Sequence, residues 1–265
     1  MERVEENLQN PPSAQEVMKR AIILAHIRVK AAATPPEEYL GQLASKWSVE
    51  ERERFIKGMK EIFATQEGRI RSAGLWENMS DSERDFIQTG AFETTPRQRV
   101  DASWLIESIV CLTWALGLVE RIPPYDEECQ QDKLKFPKDV GAKDLIEQAR
   151  LRAREEIELQ RDWAELWHWR CRTRQLIETQ SMPKNIPGGY SIAEIIKLSA
   201  SKAAERGVFD ALIGDDFPAF GKPFKDLSEE EFTTVMSISM ERHKALNWLC
   251  GAAPGNQWKE TRTDT

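Results

Sequence analysis

Six copies of one helix-start signal constrain this chain more than any other feature of its sequence. In each copy a Ser or Thr precedes a Glu or Gln by three residues, so that each side chain satisfies a backbone donor of the other at a helix N-terminus. The six pairs are Ser13/Glu16, Ser48/Glu51, Ser80/Glu83, Thr95/Gln98, Ser191/Glu194 and Ser228/Glu231. Each pair precedes a run with helical apolar periodicity, and no stretch alternates with period two. The sequence therefore predicts an all-α protein without strands.

The predicted helices account for most of the chain. Apolar positions at helical spacing place them at residues 14–33, 36–46, 49–66, 81–90, 96–116, 142–180, 192–206 and 229–250. Gly117, Gly207 and Gly251 each follow such a run, and glycine commonly ends a helix there. The segment at 142–180 keeps one apolar face along its length, and its pattern fits a continuous, a kinked or a split helix.

The length of 265 residues suffices for one large domain or two small ones. Because no repeat, low-complexity run or clear boundary divides the chain, we expect a single globular α-helical domain over residues 1–265. The helix at 96–116 is apolar on nearly all sides, which is typical of a buried central helix. We expect the helices at 142–180 and 229–250 to pack beside it.

Two segments do not fit a helix. Residues 121–141 are polar and broken by proline. Residues 208–227 carry Phe209, Phe217, Phe220 and Phe224 among glycines and prolines. Such aromatic side chains must pack on something, so this segment either folds onto its own domain or forms a lid or a partner-binding surface.

Charge and cysteine usage limit the function class and the compartment. The chain has 37 basic and 44 acidic residues, a net charge of −7 and a pI of about 5.3. A general nucleic-acid binder needs a basic face, so we expect no nucleic-acid partner. The four cysteines lack Cys-x-x-Cys spacing, and the first residues, MERVEENLQNPPS, lack an apolar secretory core. The apolar run 104–119 is too short to span a bilayer. We therefore expect a reduced, cytoplasmic protein without a membrane partner.

Three groups of residues, in this order, resemble a known family. The first comprises Trp104, Glu107 and the sequence from Trp114 to Gly117. The second comprises Arg152, Glu155, Glu156, Ile157, Asp162, His168 and Trp169. The third comprises Glu241, Arg242, Leu246, Trp248, Trp258 and the ending Thr263 to Thr265. This order resembles the bacterial family known as domain of unknown function 4272, over residues 50–265, with residues 1–49 as an N-terminal helical extension.

The resemblance implies an α-helical fold and supplies no activity. Members of the family usually carry an Asp directly after the late Trp. This sequence has Lys259 at that position, so a role assigned to that acid does not carry over.

Four residues are candidate catalytic groups: Glu107, Glu156, Asp162 and His168. Carboxylates on facing helices can hold a di-metal centre, which requires a Glu-x-x-His pair on each of two helices. Only Glu165 and His168 have that spacing, so we expect neither a metal nor a cofactor. The competing interpretation is a structural network of paired charges. Its candidate members are Glu107, Glu156, Arg170, Glu241 and Arg242.

Glu107 lies in the most apolar helix, where a carboxylate cannot stay ionised alone. Either its pKa rises or a cation meets it, and the planar fork of Arg can satisfy both oxygens. Arg242 is the first choice, because it lies on the inward stripe of the 229–250 helix. Arg170, on the stripe of Trp163 and Trp167, is the second.

Residues 252–265 resemble a disordered tail in composition, but Trp258 and the matched ending predict that this segment docks. We expect Trp258 to be at least partly buried against the 229–250 helix.

The sequence favours a non-enzymatic interaction or accessory protein, immunity-like or regulatory, because the charge is acidic and no catalytic motif occurs. The alternative is an enzyme of unrecognised type that uses the Glu/Asp/His set, with or without a metal. The sequence specifies neither the protein partner, nor a substrate, nor the oligomeric state.

Overall fold

The structure is a computed structural model that describes residues 10–34, 41–42, 45–90, 93–134, 141–183 and 187–264. Within them the chain is helical apart from one minimal hairpin, which confirms the predicted all-α class. The described helices are α1 (Ala14–Ala33), α2 (Val49–Ser72), α3 (Asp81–Gln88), α4 (Pro96–Ala115), α5 (Ala142–Gln148), α6 (Arg154–Glu178), α7 (Ile192–Glu205) and α8 (Glu229–Leu249). None of them is long and apolar enough to cross a bilayer. Most of the helix predicted at 36–46 falls outside the described residues.

The six capping-box starts and the three glycine stops are confirmed, whereas α2 runs to Ser72 and not to the predicted residue 66. At the start of α1, α2, α3, α4, α7 and α8 the Ser or Thr oxygen accepts the third backbone N–H, and the Glu or Gln side chain accepts the N–H of the cap residue. Gly117, Gly207 and Gly251 follow α4, α7 and α8 with φ of 72°, 74° and 85°. Glycine adopts this left-handed conformation without the penalty of a side chain.

The long helix predicted at 142–180 is split into α5 and α6. Ala149 and Ala153 have extended ψ values of 135° and 142°, so neither residue continues a helix. The Arg150 guanidinium donates to the Ala149 carbonyl at 2.7 Å and supplies a donor at the end of α5. No glycine or proline marks this break, which explains why the apolar pattern alone did not locate it.

The chain forms two compact units, and residue 152 begins the last of the three parts that make up one of them. The α1–α5 unit takes its described residues from Ser13–Val119 and Leu134–Leu151. In it α1 packs mainly on α4 and also contacts α2, α3 and α5. As predicted, α4 is buried along most of its length, including Glu107. The expectation of a single domain stays a prediction.

The α6–α8 unit takes its described residues mainly from Glu120–Lys133 and Arg152–Thr265. Its centre is the long contact between α6 and α8, and α7 packs on α6. After α8, Trp258 is buried and its ring meets that of Trp248 edge-on, with the ring centroids 5.4 Å apart. The predicted burial of Trp258 against this helix is therefore confirmed.

The expectation of no strands is wrong for the phenylalanine-rich segment. Strands β1 (Pro218–Ala219) and β2 (Lys222–Pro223) pair antiparallel and enclose a two-residue turn. Two residues per strand are too few for the period-two alternation that predicts a strand from sequence. The segment folds onto its own unit, because Phe217 and Phe224 are fully buried.

Candidate interaction site

A buried ion pair fixes the base of the β1–β2 hairpin. Arg170 on α6 donates from Nε and Nη2 to the two carboxylate oxygens of Asp216, each at 2.7 Å. Their side chains are only 2% and 4% exposed. The same carboxylate accepts the backbone N–H groups of Phe217 at 2.8 Å and Lys225 at 3.1 Å. One carboxylate therefore joins α6 to the residues before β1 and after β2.

Aromatic packing around Trp167 supports this ion pair. Trp167 lies just under one turn before Arg170 on α6, and it contacts Phe209, Phe217 and Phe224 with ring centroids 6.0, 5.2 and 6.4 Å away. On another side it stacks on Tyr125, with a centroid distance of 5.2 Å and 9° between the planes. These rings hold the phenylalanine-rich segment and the proline-rich segment around Tyr125 against the same indole.

A second buried arginine, Arg242 on α8, holds the proline-rich segment through its backbone. Its guanidinium donates to the carbonyls of Pro123 at 2.5 Å, Pro124 at 3.0 Å and Glu127 at 3.0 Å. It also lies 5.0 Å from the centre of the Tyr125 ring. Because the fork of Arg presents donors in several directions, one side chain can order a whole irregular segment.

The two segments held by these arginines meet at Phe220. The Asp126 carboxylate accepts the backbone N–H of Phe220 at 2.7 Å. Phe220 and Gly221 form the turn between β1 and β2, with φ of 53° and 71°. Such turns favour Asn or Gly at the first position, because a bulky L residue is strained at positive φ. Phe220 is nevertheless left 38% exposed.

The candidate catalytic residues of α6 do not converge. Glu156 is exposed and lies 3.6 Å from Arg152, and Asp162 pairs with Arg206 at 2.9 Å. Because α6 is one unbroken helix, each step of six residues, from Glu156 to Asp162 and on to His168, turns about 240° at ~100° per residue. The three side chains therefore face three different sides of the helix.

His168 is engaged with a second histidine rather than with a carboxylate. Its Nδ1 lies 2.9 Å from Nδ1 of His243, and both rings are buried. Burial lowers the pKa of His168 to about 4, and the cation of Arg172 lowers it further. Burial also lowers the pKa of His243 to about 3, with contributions from His168 and Arg161. General acid–base catalysis works best with a pKa near the working pH, which neither ring has.

The hydrogen bonds around the histidine pair define its protonation. Asn247 Nδ2 donates to His243 Nε2 at 2.9 Å and to the Arg262 carbonyl at 2.8 Å. His243 therefore accepts at Nε2 and carries its proton on Nδ1, from which it donates to His168. The neutral pair and Asn247 form one directional chain that ends on the segment after α8.

Burial opposes ionisation of two thiols of this unit, those of Cys171 and Cys250. Burial raises the pKa of Cys171 to about 12 and the pKa of Cys250 to about 11. Nucleophilic thiols need the opposite shift, because the thiolate is the reactive form. Among the described residues there is no group of three or more His, Cys, Asp or Glu side chains that could hold a metal ion.

The remaining ion-pair candidates lie on α4, α6 and α8. Glu107 is fully buried on α4, and Glu241 is half-buried on α8. Arg170 is paired with Asp216, a partner that the sequence analysis did not consider. Arg242 donates to the three backbone carbonyls of the proline-rich segment. The pairing of Glu107 with an arginine stays a prediction.

Comparison with protein families gives one match. The family model described as Domain of unknown function (DUF4272) matches residues 3–192. The match includes α1, which corrects the expected start of the family-like region at residue 50. It ends before the β1–β2 hairpin, α8 and the third group of resembling residues. No curated protein and no solved structure matches the chain.

Proposed function

This chain belongs to the family described as Domain of unknown function (DUF4272), and from that premise we propose that it is a non-enzymatic interaction or accessory protein of the cytoplasm. In this proposal it is immunity-like or regulatory, and it binds a protein partner through the exposed ring of Phe220. The observation that carries the proposal is the position of that ring, at positive φ in a turn that two buried arginines support.

The energetics of the turn support an interaction role. An L residue in the left-handed region costs about 1–2 kcal/mol, whereas Gly or Asn is tolerated there. Phe220 adopts this unfavourable conformation although the residue remains partly exposed to solvent. Residues that break a local rule without a folding benefit are concentrated at functional positions.

The rigidity of the surroundings supports the same role. Binding is weakened by the entropy lost when loops and side chains become ordered, and a preorganised surface avoids part of that loss. The turn is held by Asp126 on one side and by the Asp216 carboxylate at its base. Aromatic residues on such surfaces are common binding hot spots.

The geometry of α6 favours this proposal over the enzymatic alternative. An acid–base or metal mechanism needs its groups within reach of one reacting atom. Glu156 and His168 are twelve residues apart on one helix, which separates them by about 18 Å along its axis at 1.5 Å per residue.

The test is a comparison of captured proteins from cells that encode the chain. The tagged full chain, Phe220→Ala and the control Leu198→Ala are used as baits, and bound proteins are quantified by mass spectrometry. Leu198 is a suitable control because it is an apolar side chain of the same unit and is 47% exposed. We expect at least one protein to be retained by the wild type and by Leu198→Ala but reduced about tenfold or more by Phe220→Ala. If no protein depends on Phe220, the proposal is wrong.

A further inference from the structure

The segment after α8 is attached to the histidine pair through a single amide group. Asn247 Nδ2 is the donor both to His243 Nε2 and to the Arg262 carbonyl. The attachment of the segment is therefore linked to the hydrogen-bonding role of His243. The buried ring of Trp258, edge-on to Trp248, lies in the same segment.

We propose that the His168–His243 pair is an acid-sensitive latch that holds residues 259–264, the part of the segment after α8 beyond the buried Trp258, and releases them when the pair takes up a proton. This device is independent of the interaction site at Phe220, and it is a regulatory property of the α6–α8 unit.

Protonation reverses the hydrogen-bonding requirements of the pair. If His168 takes up the proton, both of its ring nitrogens become donors, and its Nδ1 then meets the donor Nδ1–H of His243. His243 can restore that bond only by moving its own proton to Nε2. If His243 takes up the proton, Nε2 also becomes a donor. In both cases Nε2–H faces the NH₂ group of Asn247, and two donors oppose each other.

The amide of Asn247 can satisfy a donor at Nε2 only by turning over. Its oxygen then replaces Nδ2 and accepts from His243. The same oxygen now faces the Arg262 carbonyl, and two acceptors repel each other. The bond of 2.8 Å from Asn247 Nδ2 to the Arg262 carbonyl is lost. Protonation of the histidine pair between α6 and α8 therefore releases the chain at Arg262.

Burial and the charges around the histidine pair set the pH at which the pair takes up a proton. From α6, the cations of Arg172 and Arg161 oppose protonation, and from α8 the facing titratable group is the other histidine. The segment after α8 presents a backbone carbonyl. With burial as the main cause, the pKa of His168 falls to about 4, so the latch is closed at neutral pH and opens under acid.

Two variants separate a latch from a merely structural pair. His243→Asn removes the ring that forces Asn247 to turn over and leaves the bond from Asn247 to Arg262 available, so the segment should stay docked at low pH. Asn247→Ala removes the bond itself, so the segment should be loose already at neutral pH. A structural pair would instead make both variants less stable without opposite effects on the segment. His26→Asn in the α1–α5 unit is the control, because His26 contacts Gln66 and not this chain of bonds.

The measurement is hydrogen exchange followed by mass spectrometry between pH 7 and pH 4, corrected for the intrinsic dependence of exchange on pH. In the wild type and in His26→Asn, peptides covering residues 259–264 should lose protection by about tenfold or more under acid, while α6, α8 and the residues around Trp258 stay protected. His243→Asn should abolish this step, and Asn247→Ala should show low protection at every pH. Loss of protection in α6, α8 and the segment together, or the same acid step in His243→Asn, would overturn the proposal.

Discussion

Lys30 in the α1–α5 unit and Arg170 and Arg242 in the α6–α8 unit are buried cations that support different kinds of backbone. In the α1–α5 unit, the ammonium of the fully buried Lys30 donates to the carbonyls of Ile87 and Thr89, each at 2.6 Å. These carbonyls lie at the C-terminal end of α3, where backbone acceptors lack partners within the helix and the helix dipole favours a cation. The rings of Phe63 and Phe86 lie 4.9 and 5.6 Å from the same nitrogen. Here a buried cation donates to the carbonyl groups at the end of a helix.

In the α6–α8 unit the buried cations serve irregular segments instead. Arg170 meets a carboxylate before β1, and Arg242 meets carbonyls spread from Pro123 to Glu127. The difference follows the shape of the donor. A lysine is a point charge that suits two converging carbonyls, whereas the wide fork of an arginine reaches acceptors several residues apart. Ordered but irregular backbone of this kind can carry a binding surface, which a closed helix end cannot do.

Removal of Arg170 should have the largest effect. Arg170→Met leaves the Asp216 carboxylate buried without its cation, and breaking one side of such a pair typically costs ~3–5 kcal/mol. We expect urea unfolding to show a loss of that size in the free energy of unfolding. The double variant Arg170→Met/Asp216→Asn should be more stable than the sum of the two single effects predicts. Simple additivity would mean that the pair does not hold the hairpin as described.

Removal of Arg242 should cost somewhat less, about 3 kcal/mol, because it takes away the donor that the carbonyls of Pro123, Pro124 and Glu127 share. Arg242→Met should also raise hydrogen exchange in residues 120–133 before the rest of the unit opens. The control is Lys244→Met on the same helix, whose cation lies over the Trp258 ring at 5.3 Å. That exposed type of contact is worth roughly 0.5–1 kcal/mol. Equal losses in the two variants would contradict the role assigned to the carbonyl contacts.

Removal of Lys30 should cost about 2 kcal/mol and should also change the response to pH. Burial lowers the pKa of Lys30 from 10.5 to about 8, against the opposing effect of Glu67 and Glu93. Between these values the unfolded chain holds more protons than the folded chain, so this residue makes the folded state more stable as the pH rises from about 8 to 10.5. The difference in unfolding free energy between the wild type and Lys30→Met should therefore grow across that range. A constant difference would show that Lys30 titrates alike in both states.

Local signals explain what could be predicted from the sequence. A capping box lies within four residues, and all six fixed a helix start correctly. The inward stripes of the helices likewise identified Arg170 and Arg242 as buried. Their partners could not be found in this way, because Asp216 is 46 residues from Arg170 and the acceptors of Arg242 are backbone groups of a segment without periodicity.

The sequence named residues 208–227 as a possible partner-binding surface, but it did not predict the hairpin within them. Gly221 is a turn signal, but the rule for hairpin turns expects Asn or Gly at the position before it, where this chain has Phe220. Phe220 conflicts with this rule, and the conflict explains why the sequence pattern did not predict the hairpin. It also makes Phe220 the candidate functional residue. The sequence allowed a split in the 142–180 helix but did not locate the break between α5 and α6, because no glycine or proline marks it.

The smallest expected effect is an increase in the free energy of unfolding. Phe220→Asn places a residue that tolerates positive φ at a turn position where Phe is strained, so the free energy of unfolding should rise by about 1 kcal/mol. Phe220→Ala is the control, because alanine keeps most of the backbone strain and loses the ring, and it should not be stabilised. Thermal and urea unfolding of the two variants measure this difference. If Phe220→Asn is instead less stable than the wild type, the ring contributes more to the packing of the hairpin than its conformation costs, and Phe220 is then a folding residue rather than a binding residue. If it is more stable and has lost the Phe220-dependent partner, the chain keeps an unfavourable residue at the tip of a rigid hairpin because that residue binds.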